Sequence, residues 1–395
     1  MSILILITLI VFLLYLVLII YYRFAFTSVP QFQIPNLPAG RQVPNIPSTK
    51  ITVIIPARNE QNNVEYCLQS ITEQSYPKEL YEVIIVDDHS QDNTAEIVKR
   101  FADRNVKLIT LQDHVTSPLN SYKKKAIEIA MAQATGTLVV TTDADCYLPA
   151  RWLETIAVFY EEKKPAFIAG PVTIDCGWKF IEIFQSLDFM TLQGITAAVV
   201  HKKQMTMCNG ANMAYEREAF YAAGGFAGID NIASGDDMLL MHKIYKLYPE
   251  RVMFLKSKEA IVKTMPVRTV KEFFQQRIRW ASKADKYDDK RILPVLVLVY
   301  IFNCLMLALP LIAVFNNAQY SIFNAQCSIF KLWLLLLILK IAAELFFLFP
   351  VAIFFGKKNM LCFFPLMQPF HIMYTVIAGW LGKFGKYTWK ERSVQ

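Results

Sequence analysis

The first 22 residues of the chain contain no charged side chain, and this run constrains the fold more than any other feature. A helix needs about 20 apolar residues to cross the hydrocarbon core of a bilayer, so this run is long enough to span one. A cleaved signal peptide would have basic residues ahead of a shorter apolar run and small residues at a cleavage site. The sequence lacks these features, and we therefore predict a retained transmembrane anchor over residues 1–22.

Three more apolar stretches lie towards the other end of the chain, at residues 292–315, 332–355 and about 360–381. Hydrophobic residues make up 54% of the chain and charged residues 19%, and the hydrophobic excess is concentrated at the two ends. Residues 50–290 have the composition of an ordinary globular domain. The distribution predicts one soluble domain between membrane segments.

Basic residues favour the cytoplasmic side of a membrane. Arg23 follows the first apolar segment, and three basic residues precede the second: Lys286, Lys290 and Arg291. The loop at 316–330 has no charged residue and suits the opposite side. We therefore expect an integral protein of the plasma or inner membrane whose central domain is cytoplasmic.

The side of the carboxyl-terminal tail is left open by two conflicting signals. The tail contains Lys383, Lys386, Lys390 and Arg392. These charges favour the cytosol, but alternation after Lys357 and Lys358 places the tail outside. Because Pro365 and Pro369 interrupt the last apolar segment, we favour a re-entrant or interfacial hairpin there.

Cysteine usage and net charge narrow the class of protein. The seven cysteines form no CxxC pair, which favours reduced thiols in a cytosolic setting. A formal net charge of +8 suits contact with anionic membrane lipids or an anionic donor. Nucleic acid is excluded as a partner because the basic residues form no continuous stripe and no recognition module is present.

Strand-like and helix-like segments alternate in the central domain. Short runs rich in β-branched residues predict strands at 51–56, 82–86, 106–111 and 137–142. Helical patterns fall between them, among them 93–104 and 121–134. This alternation is typical of βαβ units and a mostly parallel α/β sheet, in which ligands bind at the carboxyl ends of the strands.

Acidic residues follow two of these predicted strands. Asp143 and Asp145 in TTDADC are two residues apart, so in extended chain both carboxylates lie on one side. Carboxylate pairs of this kind suit Mg²⁺ or Mn²⁺, although a solvated acidic turn is the simpler interpretation. Asp87 and Asp88 in VDDHSQDNT could accept hydrogen bonds from a nucleobase or ribose, or could belong to a helix cap.

Two later segments also have both a structural and a functional interpretation. In SGDDMLL, Asp236 or Asp237 could cap the following helix, or one of them could be a general base. Residues 267–283 contain QQRIRW and alternate aromatic with basic residues, as a helix on a membrane surface would. Arg279 in this segment could also stabilise a leaving diphosphate, and Trp280 could be a stacking platform.

The motifs follow one another in the order PARNE, VDDHS, a lysine-rich helix, DAD, NGAN, GDD and QxxRW, and membrane segments come next. In this order the chain resembles the family 2 glycosyltransferases, in particular the membrane-integrated branch of cellulose, chitin and hyaluronan synthases. The resemblance covers about residues 52–280. It implies a GT-A fold, in which a mostly parallel sheet is flanked by helices, here with transmembrane helices at both ends.

The resemblance also implies roles for individual residues. Donor contacts are expected from Pro56, Arg58, Glu60, Asp88, Lys123 and Asp143. Asp145 resembles the principal metal ligand, with Asp143 beside it, for Mg²⁺ or Mn²⁺. The acceptor side is expected to include Asn209, Gly210, Asn212 and residues 224–226, and Asp236 is a further expected substrate-binding residue. Asp237 resembles the general base, and Gln276, Arg279 and Trp280 match the QxxRW set.

The expected reaction is an inverting transfer from a nucleotide-sugar, expected to be a UDP-sugar, to a saccharide or lipid acceptor. Processive polysaccharide synthesis and transfer of a single sugar to a membrane lipid both remain open, and a non-catalytic subunit of a synthesis or export complex is a third alternative. Lys340 and Glu344 lie four residues apart in a membrane segment, which predicts an ion pair. The predicted organisation is anchor 1–22, linker 23–49, catalytic domain 50–266, interfacial helix 267–290, membrane region 291–381 and basic tail 382–395.

Overall fold

The structure is a computed structural model that describes residues 2–34, 47–115, 119–232, 235–282, 288–315, 323–384, 387–389 and 392–394. Much of the predicted linker, the loop residues 316–322, Lys286 and the tail residues Lys386 and Lys390 lie outside the described residues. Two compact units emerge. The helical unit comprises Met1–Ser28, Cys176–Ala198 and Pro266–Gln395, and the sheet unit comprises Val29–Asp175 and Val199–Met265.

The elements are numbered here in chain order. The strands are β1 Ile51–Ala57, β2 Tyr81–Asp87, β3 Val106–Thr110, β4 Leu138–Thr141, β5 Cys146–Tyr147, β6 Phe167–Ala169, β7 Val172–Ile174, β8 Met213–Glu216, β9 Val252–Phe254, β10 Val262–Thr264, β11 Tyr387–Trp389 and β12 Arg392–Val394. The α-helices are α1 Ser2–Ser28, α2 Val64–Thr72, α3 Thr94–Lys99, α4 Tyr122–Gln133, α5 Trp152–Lys163, α6 Phe180–His201, α7 Arg217–Ala222, α8 Asp236–Leu247, α9 Val270–Ala281, α10 Ile292–Phe315, α11 Phe323–Phe354 and α12 Phe364–Phe384.

The sheet unit is built on a seven-stranded sheet in the order β3-β2-β1-β4-β8-β6-β9. The four strands predicted from sequence lie side by side and are parallel. β8 is antiparallel to both of its neighbours, β4 and β6, while β9 is parallel to β6. A smaller sheet has the order β5-β10-β7. The mixed α/β architecture with a mostly parallel sheet is therefore confirmed.

Pro56 lies inside a central strand, where proline is normally excluded because it lacks an N–H donor. β1 pairs with β2 along its whole length, but it pairs with β4 only as far as Ile54 opposite Thr141. Pro56 comes after that pairing has ended, so the missing donor breaks no bond to β4. The strand can thus extend to Ala57 on the β2 side.

The predicted helix at 93–104 is shorter in the structure. α3 ends at Lys99, and a separate 3-10 turn, Ala102–Arg104, follows it. Asn105 closes this turn in the left-handed region, at φ 61°. Asparagine tolerates that conformation better than most residues, and it directs the chain into β3.

Five described helices are long and apolar enough to cross a membrane: α1, α6, α10, α11 and the α12 region. Four of them correspond to the predicted segments. α6 was not predicted as one of them, and most of its apolar window is buried within the protein. Cys176–Ala198, which contain most of α6, group with the helical unit, whereas the sequence placed them in a continuous catalytic domain.

The hairpin expected in the last apolar segment is not formed. α12 is one helix of 21 residues that continues through Pro369. Pro365 is the second residue of α12. The first N–H groups of a helix have no acceptor within the helix, so proline breaks no hydrogen bond at this position. Pro369 follows within the next turn, and the helix continues past it.

The ion pair predicted between Lys340 and Glu344 is present and lies in a buried polar cluster. Lys340 Nζ is 2.7 Å from Glu344 Oε1 and donates to Gln368 Oε1 at 2.6 Å. Gln368 Nε2 donates to Glu344 Oε2 at 2.8 Å, and the Tyr15 hydroxyl also donates to Glu344. These contacts satisfy charges that would be costly in lipid, and they connect α1, α11 and α12.

Candidate functional site

Arg58 and Asp88 join the carboxyl ends of β1 and β2. Arg58 Nη1 donates to the carbonyl oxygen of Asp88 at 2.9 Å and lies 3.9 Å from its carboxylate. His89, at φ 54°, turns the chain and places its Nδ1 2.9 Å from Asp88 Oδ1. Asp88 is buried, so its carboxylate is held in one orientation at the edge of the sheet where ligands bind.

The adjoining acidic residues serve the turns around this edge. Asp87 Oδ2 accepts from the amide of Ser90 at 3.3 Å. The Glu60 amide donates to Thr94 Oγ1 at 2.8 Å, and the Glu60 carboxylate accepts from Asn63 Nδ2 at 2.9 Å. Asp92 Oδ1 accepts from the Thr94 amide at 3.0 Å at the start of α3, whereas the N-cap residue, Asn93, makes no side-chain cap bond.

Asp143 and Asp145 lie just beyond β4, and both side chains are partly exposed. Lys123 on α4 places its Nζ 2.8 Å from Asp143 Oδ1. The same Nζ is 3.3 Å from Asp236 Oδ2, in the first turn of α8. Burial alone would lower the pKa of Lys123, but Asp143 and Asp236 outweigh it and raise that pKa, so Lys123 is a firmly held cation.

Asp237, next to Asp236, faces the NGAN segment. Its Oδ2 accepts from the amide of Gly210 at 3.1 Å, and its Oδ1 accepts from the amide of Met238 at 2.8 Å. The residue that precedes α8 is Gly235, in the left-handed region, so neither acid occupies the N-cap position. Asp237 nevertheless satisfies one free amide of the first turn, so the cap and the functional interpretation apply to the same side chain.

A side chain at Gly210 would crowd this junction. A Cβ placed on Gly210 would lie 3.3 Å from Lys123 Nζ and 3.7 Å from Asp237 Cβ. The absence of a side chain therefore lets Lys123 and Asp237 approach the NGAN segment from two sides. The structure thus brings together four of the predicted site residues, Lys123, Asp143, Asp236 and Asp237, around Gly210.

The two asparagines of NGAN have local roles. Asn209 Oδ1 accepts from the amide of Ala211 at 2.9 Å. Asn212 is buried; its amide donates to the carbonyls of Pro171 and Ala260, each at 2.8 Å, and accepts from Trp152 Nε1 at 3.0 Å. Because these bonds occupy its amide within the protein, Asn212 has a structural role in the sheet unit.

Two buried thiols lie beside the Asp143–Asp145 pair. Cys67 Sγ is 3.7 Å from the carbonyl oxygen of Asp143, and Cys146 Sγ is 3.6 Å from Asp145 Oδ1. Burial, reinforced by the two carboxylates, raises the pKa of both thiols. Both thiols are therefore held in the neutral form by these surroundings.

The donor set fits a hard divalent cation. Asp143 and Asp145 offer carboxylate oxygens, and among the described residues no group of three or more His, Cys, Asp or Glu side chains could hold a metal ion alone. Mg²⁺ is commonly bound by one or two carboxylates together with water and substrate phosphates, so a pair is sufficient. Carboxylate oxygens are ligands that suit Mg²⁺ or Mn²⁺.

Gln276, Arg279 and Trp280 lie on α9 in the helical unit. Their spacing of three and four residues places them along one side of the helix, and all three are partly exposed. A capping box formed by Thr269 and Glu272 begins α9. A buried stripe that includes Ile278 packs this helix onto α12, so α9 is more than a free helix on a membrane surface.

Two charged residues important to these elements were not singled out from the sequence. Arg277 on α9 is buried, with Nη2 2.7 Å from Asp188 Oδ2 on α6 and its guanidinium 4.2 Å from the centre of the Trp280 ring. Lys124 on α4 is also buried. Its position three before Ile127 and seven before Met131, both buried, is a helical signal that could have identified it.

The fold of the chain is shared with a solved glycosyltransferase. The structure of the mannosyltransferase PcManGT from Pyrobaculum calidifontis, in complex with GDP-Man and Mn²⁺, matches 93% of this chain and 97% of its own chain, with a TM-score of 0.56 and 21% sequence identity. At that level of identity the match shows the fold alone. Together with the sheet order, it identifies the GT-A fold expected from the sequence.

Residues 52–224 match the family model for Glycosyl transferase family 2. Over this stretch, which is less than half of the chain, the sequence is similar to that family. The chain is 27% identical over 259 residues to the probable glycosyltransferase YdaM of Bacillus subtilis (strain 168), and 26% identical over 253 residues to an N-acetylglucosaminyltransferase of Rhizobium meliloti (strain 1021). Each match covers 62% of this chain and 57% of the relative.

Proposed function

We propose that this protein is an inverting glycosyltransferase that moves a sugar from a UDP-sugar to a saccharide or lipid acceptor at the cytoplasmic face of a membrane. Membrane association is supported by the helices that are long and apolar enough to span a bilayer. The relatives support nucleotide-sugar chemistry, because one is named an N-acetylglucosaminyltransferase and a structural neighbour contains GDP-Man.

The observation that supports this proposal most strongly is the bridge formed by Lys123. Its ammonium contacts Asp143, beside the expected metal ligand, and Asp236, beside the expected base. A transferase must hold an anionic donor and activate a hydroxyl group within a few ångströms of each other. Lys123 connects the residues proposed for those two tasks.

On the donor side, Asp88 is the proposed contact for the nucleobase and ribose. Its carboxylate is buried and oriented by Arg58 and His89, as a residue that accepts hydrogen bonds from a ligand must be. Pro56 and Glu60 belong to the same edge of the sheet, where they shape the β1 turn. Lys123 offers positive charge near the donor phosphates.

Asp145, with Asp143 beside it, is the proposed site for Mg²⁺ or Mn²⁺. A divalent cation there would neutralise charge on the diphosphate that leaves. Mn²⁺ is present in the structure of the mannosyltransferase PcManGT, which supports the choice of metal class. The partial exposure of both carboxylates leaves them accessible to a ligand.

Asp237 is the proposed general base. Its carboxylate is partly exposed and is oriented by the Gly210 and Met238 amides. Removal of a proton from the acceptor hydroxyl by such a group typically accelerates transfer by about 10²–10⁴-fold. One base and no enzyme nucleophile imply a single displacement, and hence inversion at the anomeric carbon.

Gln276, Arg279 and Trp280 are proposed to act on the departing diphosphate and the acceptor. Arg279 would contribute positive charge where the leaving group becomes more negative, and Trp280 an aromatic face for a sugar ring. Processive synthesis and single transfer to a lipid remain alternatives within this proposal. A ladder of products from one labelled donor would indicate the first, and a single glycolipid the second.

The proposal is tested by release of nucleotide from a panel of UDP- and GDP-sugars with the purified full-length protein, with Mn²⁺ present or chelated. Asp237→Asn should lower transfer by at least about 100-fold while binding of UDP changes little, because the amide cannot accept the proton. Glu218→Gln, on the surface at the start of α7, is the matched control. Wild-type turnover in Asp237→Asn would refute the base assignment, and full activity under chelation would refute the metal role.

A further inference from the structure

Lys124 directs its ammonium away from the aqueous surface and onto backbone carbonyls. Its side chain is buried, and Nζ donates to the carbonyl oxygens of Ile229 and Ile232, each at 2.6 Å. The preceding residue, Lys123, contacts Asp143 and Asp236 instead. The two adjacent lysines at the start of α4 therefore contact different groups: Lys123 contacts two carboxylates, and Lys124 contacts two backbone carbonyls in the segment before α8.

A second ammonium binds the other end of the same loop. Lys243, on α8, donates to the carbonyl oxygens of Gly225 at 2.7 Å and Ala227 at 2.8 Å, and it lies 3.4 Å from that of Gly224. The residues between α7 and α8 that the structure describes before the GDD motif, 224–232, thus have five of their carbonyls directed at two lysines. We call this segment the carbonyl loop.

The carbonyl loop has a backbone that would be hard to keep ordered without such contacts. Gly224, Gly225 and Gly228 adopt φ values of 71°, 52° and 82°. In the unfolded chain glycine has access to many other backbone conformations, so holding these three residues in one conformation costs entropy. The loop has short-range turn bonds, such as Ala227 N to Gly224 O at 3.0 Å and Ile229 N to Phe226 O at 3.0 Å. Hydrogen bonds from a charged donor are stronger than these neutral ones.

We propose that Lys124 and Lys243 are positioning residues that bind the carbonyl loop, residues 224–232, and thereby help to position Asp236 and Asp237 at the start of α8. Lys124 holds its second half from α4, and Lys243 holds its first half from α8. In the first turn of α8, Asp237 is directed at the Gly210 amide. This inference rests on the proposed function, because it concerns the residue assigned there as the base.

The electrostatic surroundings of Lys124 agree with this placement. Burial lowers the pKa of Lys124 to about 8, against the opposing influence of Asp236, Asp237 and Asp230. A lysine is rarely buried without a compensating role, because removing an ammonium from water is costly. The carbonyls of the loop and the two α8 carboxylates offset part of that cost.

Hydrogen–deuterium exchange of the full-length protein in nanodiscs, with UDP and Mn²⁺ present, tests this proposal without any need for turnover. Lys124→Met should accelerate exchange of amides in 225–232 by about tenfold or more, because the loop loses bonds from a charged donor. Lys243→Met should accelerate exchange mainly in 225–227. Lys125→Met is the matched control, since Lys125 lies on the same helix, is partly exposed and pairs with Glu128 at 3.5 Å.

Transfer is then measured on the same variants. Lys124→Met should lose at least about tenfold in turnover with acceptors present in a membrane extract, while its affinity for UDP stays within threefold of the wild type. Unchanged exchange in a folded Lys124→Met protein would overturn the proposal. If Lys124→Met does not fold, Lys243→Met decides, and exchange equal to that of Lys125→Met would also overturn it. Because exchange does not depend on catalysis, a failure of the base assignment would be seen separately, in Asp237→Asn.

Discussion

Lys123 and Lys124 are adjacent in sequence, yet they have opposite surroundings in the structure. Lys123 is partly exposed and lies between two carboxylates, whereas Lys124 is buried against carbonyl groups. The sequence KKK alone does not indicate which lysine is buried and which is partly exposed. The resemblance predicted that Lys123 approaches the donor, but the contact of Lys124 depends on a loop about 100 residues later in the chain.

The pKa of Lys124 leads to a prediction about the pH dependence of stability. Its folded value, about 8, lies below the usual 10.5 for lysine. Between these two pH values the unfolded chain binds more protons than the folded one, so deprotonation of Lys124 stabilises the fold as pH rises through 8 towards 10.5. Below pH 8 both states are protonated and this contribution is absent.

In Lys124→Met, this increase in stability with rising pH should be absent. The free energy of unfolding of the wild type relative to Lys124→Met should increase between pH 7.5 and 9.5, by an amount on the order of 2 kcal/mol. Thermal unfolding in detergent across this range measures it, and Lys125→Met gives the baseline. A difference between wild type and Lys124→Met that does not depend on pH would show that Lys124 titrates at its ordinary value.

At the scale of elements, the strands were predicted more closely than the helices. β1 to β4 lie within one or two residues of the predicted runs, because buried parallel strands are continuous β-branched segments bounded by clear turn signals. α6 was not recognised as part of the helical unit. Glu182, Gln185 and Asp188 interrupt its apolar character, and only packing shows that they are partnered.

The pairing of Asp188 with Arg277 shows why packing decides such a case. Both side chains are about 4–5% exposed, and the Tyr374 hydroxyl donates to the same carboxylate. The pair joins α6 to α9, and the ring of Trp280 covers the guanidinium. Sequence periodicity could place Arg277 on the helix but could not identify an acid almost 90 residues earlier as its partner.

Replacing one member of this pair should destabilise the protein more than replacing both. Arg277→Met or Asp188→Leu alone should lower the free energy of unfolding by about 3 kcal/mol or more, because the remaining charge is buried without its partner. The double variant should recover part of that loss, which thermal unfolding in detergent measures as a coupling. Lys271→Met, on the exposed side of α9, should change stability little. Additive losses in the double variant would mean that the two charges do not interact.

For the whole molecule, the sequence indicated membrane segments around a central α/β domain, and the helices and sheet agree with that plan. The boundaries differ, because residues 176–198 group with the helical unit although they lie in the middle of the catalytic sequence. When domains are assigned from chain order alone, a helix that lies between two strands in the sequence is placed in the same domain as those strands. Which side of the membrane the sheet unit occupies follows only from the positions of basic residues.

The side of the membrane on which the sheet unit lies can be tested by labelling introduced cysteines. In a Cys362→Ser background, which removes the thiol that is exposed among the described cysteines, a cysteine is introduced at Tyr66, an exposed residue of α2 in the sheet unit, or at Asn317, two positions after the end of α10 in the sequence. A membrane-impermeant maleimide should label Asn317→Cys in intact cells and Tyr66→Cys only after permeabilisation, because Arg23, Lys290 and Arg291 favour the cytosol. Labelling of Tyr66→Cys in intact cells would place the sheet unit outside, where cytosolic nucleotide-sugars are absent, and would contradict the proposed site of transfer.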